Sequence, residues 1–194
     1  KAALRRTLSS LRAAVGPEAL FATRENVGLE SGAVWCDVVQ FRQAIANGDL
    51  ETAVTLYRDD FLVGFSLRDS IPFDDWQLQQ QESLRRELTQ ALAQLTQTTT
   101  GETAVAYARR WCQMDPLREE AHRALMRLLS ENGRSAAALV QYRECVRILD
   151  DELGVAPLPE TTNLYHAIQN DRLAGWQDDE ETSAPPSPLL SLSL

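Results

Sequence analysis

The chain has 194 residues, 44% of them apolar and 24% charged, with a formal net charge of −9. That length and balance suit a soluble protein with one sizeable core and part of a second unit, and a cytoplasmic location. No apolar run approaches the ~20 residues of a membrane-spanning helix, and the N-terminus lacks the apolar segment of a signal peptide.

Charge is unevenly placed. Residues 1–24 hold Lys1, Arg5, Arg6, Arg12 and Arg24 against Glu18 alone, a net of +4, so the remainder carries −13. A basic end on an acidic body suggests two units with different partners, the first an anionic polymer. The chain opens on Lys1 inside a helical pattern and reads as an excerpt from a longer protein. In KAALRRTLSSLRAAVG, Leu4, Leu8, Leu11 and Val15 form one narrow apolar stripe at helical spacing, stopped by Gly16 and Pro17. Opposite the stripe lie Ala2, Arg6, Ser9 and Ser10, flanked by Arg5 and Arg12. Such a face suits a DNA major groove, where arginine reads guanine and serine binds phosphate; it also suits plain solvation. ALFATRENVGLES then predicts two short strands around a turn near Glu25 and Asn26, with Gly28 supplying flexibility. Helix followed by hairpin resembles the C-terminal half of an OmpR-type winged-helix domain, although that family's usual Gly-Tyr wing ending is here Gly28-Leu29. The resemblance implies that Arg5, Arg6, Ser9, Ser10 and Arg12 of the recognition helix, with Thr23 and Arg24 of the wing, contact DNA.

AVWCDVVQF reads as a strand or linker entering a helix at about Asp37, which can cap it. Gly48 precedes Ala53 by five residues, as Gly133 precedes Ala138, and Tyr57 follows Ala53 as Tyr142 follows Ala138. The next segment is rich in aromatics, Phe61, Phe65, Phe73 and Trp76, which are expected to pack within the chain rather than on a partner. After Pro72 a long polar helix runs to about Thr98, with Trp76, Leu84, Leu88, Leu92 and Leu95 as its buried stripe. Asp74 and Asp75 complement its dipole; adjacent helical positions point apart, which argues against a catalytic pair.

Ala104, Ala108 and Trp111 are matched 34 positions later by Ala138, Tyr142 and Cys145. That is the period of tetratricopeptide units, helix pairs that must stack to bury their apolar faces. PLPETTNLYHAIQ reads as a capping helix starting near Pro159 or Thr161, and from Asn170 onward an acidic, Ser/Pro-rich stretch has no helical period. Cys36, Cys112 and Cys145 are odd in number and widely spaced, so they read as small packing residues rather than disulfides or zinc ligands. His122 and His166 sit in helical patterns as packing or surface residues. With no phosphate loop, nucleophile elbow or metal-ligand cluster, an enzyme, a cofactor and a metal site are not expected.

YRDDFLVGFSLRDSIPFDDW, MDPLREEAHRALMRLL and NGRSAAALVQYRECVRILDDELGVAPLPET resemble the bacterial transcriptional activation domain of the Streptomyces antibiotic regulatory protein (SARP) family, from about Val34 to Gln169. The expected fold is mostly α: a tetratricopeptide-like helical repeat array behind an N-terminal helix and β-hairpin remnant of a winged helix. The expected domains are 1–31 for the winged-helix remnant, 32–172 for the activation domain and 173–194 for a linker or disordered tail. The resemblance implies an activator that binds promoter DNA, dimerises and recruits RNA polymerase, with a downstream ATPase, cyclase or sensor domain in larger relatives. The residues alone also fit a generic repeat scaffold that gathers protein partners without touching DNA.

Overall fold

A computed structural model of the chain describes residues 2–23, 25–30, 32–68 and 70–182, with the side chain of Ala2 and those from 171 onward left out of the description. The chain divides into two units, residues 1–65 and 66–194. Among the described residues there are eight helices and one two-stranded antiparallel hairpin, a mostly helical repeat fold with a small β element near its start.

In the first unit, α1 (Ala2–Val15) is followed by strands β1 (Leu20–Ala22) and β2 (Val27–Leu29), then by helices α2 (Asp37–Ala46) and α3 (Leu50–Leu56). The strands pair Leu20 with Leu29, Phe21 with Gly28 and Ala22 with Val27. Gly28 is required here for space rather than flexibility, because a Cβ added to it would lie 2.6 Å from the Phe21 ring. Asp37 is not the cap of α2. Cys36 holds that position and makes no side-chain bond, while Asp37 accepts from the neighbouring Val38 N–H at 2.8 Å. Asp49 does cap α3, accepting from the Thr52 N–H at 3.2 Å. Phe41, Ala44, Ala53, Val54 and Tyr57 are buried, with the Phe41 and Tyr57 rings edge to face at 5.8 Å.

The second unit consists of α4 (Ile71–Thr98), α5 (Gly101–Met114), α6 (Glu119–Glu131), α7 (Ser135–Leu153) and α8 (Pro159–Thr182), each packed on its sequence neighbour. Pro72 in the first turn of α4 pre-sets the helix without sacrificing an intrahelical bond. Ala104 and Ala138, one repeat apart, are both fully buried and let α5 and α7 approach their neighbours closely. Trp111 and Cys145, the next matched pair, are buried as well. Leu84, Leu88, Ala91, Leu92 and Leu95 line the buried side of α4.

Trp76 does not belong to that stripe, being 44% exposed. It lies about 80° around the helix from Leu84 and two turns earlier, and α4 outruns α5 by half its length. Of the other aromatics in this stretch, Phe65 is 50% exposed, whereas Phe61 and Phe73 are half-buried and Phe73 packs on Trp76 at 5.5 Å. Packing within the chain therefore takes up only part of the cluster.

The turn between α2 and α3 and the turn between α6 and α7 share one geometry. Both place Asn-Gly at the helix end, with Gly48 at φ +76° and Gly133 at +71°. In both, the next N–H reaches back five residues, Asp49 to the Ala44 carbonyl at 2.9 Å and Arg134 to that of Leu129 at 2.8 Å. The α2–α3 pair thus uses the same stop and restart as the α6–α7 pair. At the C-terminal end, α8 runs to Thr182, past Asn170 where the apolar period fades, and residues 183–194, the rest of the expected tail, lie outside the described residues.

Candidate nucleic-acid interface

On α1, Arg5, Arg6, Ser9, Ser10 and Arg12 are all exposed, so the helix brings the sequence-derived contacts to one accessible element. The apolar stripe is open too: Leu4 is 60% exposed, with Leu11 and Val15 above 40%, and Leu8 alone is half-buried. Gly16, at φ +102°, ends the helix by turning its N–H back to the Arg12 carbonyl at 3.0 Å. Ala19 and Leu20 are buried and tie the hairpin to this end.

The hairpin turn is held by Thr23. Its hydroxyl accepts from the N–H groups of Asn26 at 2.9 Å and Glu25 at 3.3 Å, and its own N–H donates to the Asn26 carbonyl at 2.8 Å. Thr23 therefore shapes the loop that would carry a DNA contact, a role that its residue type alone did not show. Arg24 lies outside the described residues.

Among the helices of the second unit, polar groups in buried positions are tied to each other. His122, 1% exposed, donates from Nε2 to the Pro116 carbonyl at 2.8 Å and accepts at Nδ1 from the Gln141 amide at 2.8 Å. It is a packing histidine, while His166 is exposed and stands beside Tyr165. Burial pushes the Cys112 thiol up to about 12 and the Cys145 thiol up to about 11, which keeps both protonated and unreactive as nucleophiles at neutral pH. Among the described residues no cluster of His, Cys, Asp and Glu could hold a metal ion, and no helix is long and apolar enough to cross a membrane. A cleft of about 460 Å³ lies beside the C-terminal ends of α4 and α6 and the start of α5. Its lining is engaged with backbone: Thr96, Thr99 and Asn132 each donate to a carbonyl of their own helix at 2.7 Å.

Sequence reasoning missed a further polar cluster. Glu119 on α6, 8% exposed, accepts from the Leu158 N–H at 2.9 Å and from the Thr161 hydroxyl at 2.5 Å. Arg123 donates to that hydroxyl at 2.8 Å. No sequence signal singles it out: Leu158 carries no capping side chain, but Cys36, Arg118 and Arg134 at the starts of α2, α6 and α7 make no capping bond either.

Residues 37–169 match the bacterial transcriptional activator domain family, a span running from the first residue of α2 into α8. Two curated relatives are the regulatory protein AfsR of Streptomyces griseus, 33% identical over 115 residues, and that of Streptomyces coelicolor (strain ATCC BAA-471 / A3(2) / M145), 31% identical over 129 residues. The matches cover 59% and 61% of this chain but only 11% and 12% of those proteins, so the chain spans about a tenth of their length. α1 and the hairpin lie ahead of the family match. With more than half of its residues in that match, the chain belongs to the bacterial transcriptional activator domain family.

Proposed function

We propose that this chain is part of a bacterial transcriptional activator in which α1 and the β1–β2 hairpin form the recognition helix and wing of a winged-helix domain. The observation that carries this reading is the accessible basic face of α1, Arg5, Arg6 and Arg12 with Ser9 and Ser10, placed directly ahead of a transcriptional activator domain. Arginine and serine side chains on an exposed helix are the donors that phosphates and guanine edges accept. The open Leu4–Leu11–Val15 stripe is the side on which the rest of such a domain packs, leaving the basic side for DNA. In this reading the helices from α2 onward mediate dimerisation, regulation and contact with RNA polymerase, and a signalling domain follows α8.

The test is binding of promoter DNA by the full-length protein across a salt series. Wild-type affinity falls steeply with salt, and the Arg6→Ala, Arg12→Ala double variant lowers affinity at least tenfold and flattens the log–log salt slope by about 1.8, roughly 0.9 per lost phosphate contact. Full promoter affinity in the double variant removes α1 as the recognition helix and leaves the repeat scaffold as the better reading.

A further inference from the structure

α8 is fastened differently from α5 and α6. α5 buries Ala104, Val105, Ala108, Trp111 and Cys112, and α6 buries six side chains of its own. Among the described side chains of α8 only Thr161 and Ile168 are buried, and one of the two is polar. Its remaining contacts with α7 are half-buried: Tyr165 stacks on Tyr142 at 4.3 Å, and the hydroxyls of Thr162 and Tyr142 meet at 3.4 Å.

The start of α8 has no cap of its own. The Leu158 carbonyl accepts from the N–H groups of Thr161 at 3.1 Å and Thr162 at 3.2 Å, which makes Leu158 the N-cap residue, and leucine has no side-chain acceptor. The cap comes from another helix. The Glu119 carboxylate of α6 takes the Leu158 N–H with both oxygens, at 2.9 and 3.1 Å, and the Thr161 hydroxyl with one. This is the pattern of a capping box, in which an acidic side chain takes the N-cap N–H, but here it is divided between two helices. Glu119 also sits in the first turn of α6, so one carboxylate serves the positive ends of two helix dipoles. Arg123, whose side chain is 12% exposed, balances the buried charge, lying 3.9 Å from Glu119 and donating to Thr161.

We infer that α8 is a releasable strap, locked onto the repeat array by the Glu119 carboxylate. The inference is independent of whether α1 binds DNA. A buried charged network stabilises the geometry in which every member is paired, and with α8 lifted away Glu119 keeps Arg123 of its own helix but loses the Leu158 N–H and the Thr161 hydroxyl. The connector from Val155 to Leu158 carries Pro157, and Pro159 opens the helix, so α7 and α8 are joined by a short extended link rather than a continuous helix. A strap of this kind couples the seating of α8 to the array through the Glu119 contact.

Hydrogen exchange on the whole chain tests this. In the wild type, amides of residues 160–170 exchange faster than those of α5 and α6, because α8 opens without the rest of the unit. Glu119→Gln, which cannot accept in the same way or balance Arg123, speeds α8 exchange about 2- to 30-fold, the range expected for a lost cap, while α5 and α6 amides keep their rates. Thr161→Val acts in the same direction and Thr161→Ser restores protection, a pair that decides the matter if Glu119→Gln does not fold. Equal exchange of α8 and α5 in the wild type overturns the inference, as does acceleration of α5 and α6 in step with α8 in the variants.

Discussion

Trp111 offers a sharp test of how the second unit is held together. It is 8% exposed, and its indole N–H is buried with no hydrogen-bond partner. Truncation to alanine removes the largest side chain on α5 and leaves a cavity between helix layers, at a cost of about 3–5 kcal/mol. Replacement by phenylalanine works on two opposed effects. The smaller ring forfeits about 1–2 kcal/mol of apolar burial at ~0.8 kcal/mol per methylene-sized group. It also deletes a donor whose burial without a partner costs about 1–3 kcal/mol. The two nearly cancel, so Trp111→Phe is expected within about 1 kcal/mol of wild type while Trp111→Ala is at least about 3 kcal/mol less stable. Urea unfolding followed by far-ultraviolet circular dichroism measures both, and an unchanged slope in urea shows that the unfolded states are comparable. A phenylalanine variant as damaged as the alanine one refutes the reasoning, because it means that the indole N–H makes a bond worth keeping.

The thiols and the turns give further tests. Burial holds Cys112 at about 12 and Cys145 at about 11, against an ordinary 9.0, with the neighbouring Cys145 adding to the first shift and Glu119 to the second. Both states keep their protons below pH 9; from there to about pH 11–12 the unfolded chain ionises while the folded one does not, so stability falls with rising pH. Chemical denaturation at pH 8 and pH 10 reads this loss, and replacing both cysteines by alanine flattens the profile. In native protein at pH 8 a disulfide reagent modifies the half-buried Cys36 first, and Cys112 and Cys145 react only on unfolding. Gly48→Ala and Gly133→Ala each cost about 1–2 kcal/mol from the left-handed backbone alone. No atom lies within 4 Å of an added Cβ at either site, so equal losses in thermal melts are expected, and a neutral variant at either position counts against the shared turn.

How much of this could be read in the residues follows from the range of the forces involved. The array was legible because its requirements are local and recurrent: small residues at Ala53, Ala104 and Ala138, where helices approach, and Gly48 and Gly133 where they turn. Such needs repeat with the period of the fold, so spacing alone exposes them. Trp76 was misplaced on two counts: it lies about 80° off the face that Leu84 begins, and a stripe does not show where the partner helix ends, α5 being half as long as α4. Gly28 and Thr23 were read by residue type, whereas their roles are set by the ring of Phe21 and by the amides of Glu25 and Asn26. The Glu119 cap was hidden for another reason. Its partners lie 39 and 42 residues away, and an acidic residue in a first turn looks the same whether it faces water or seals another helix. Nor does the far end give it away, because Cys36, Arg118 and Arg134 stand at helix starts without a side-chain cap just as Leu158 does. At the start of α8 only the fold, which brings α6 beside Leu158 and Thr161, shows that a buried carboxylate supplies the acceptor that leucine lacks.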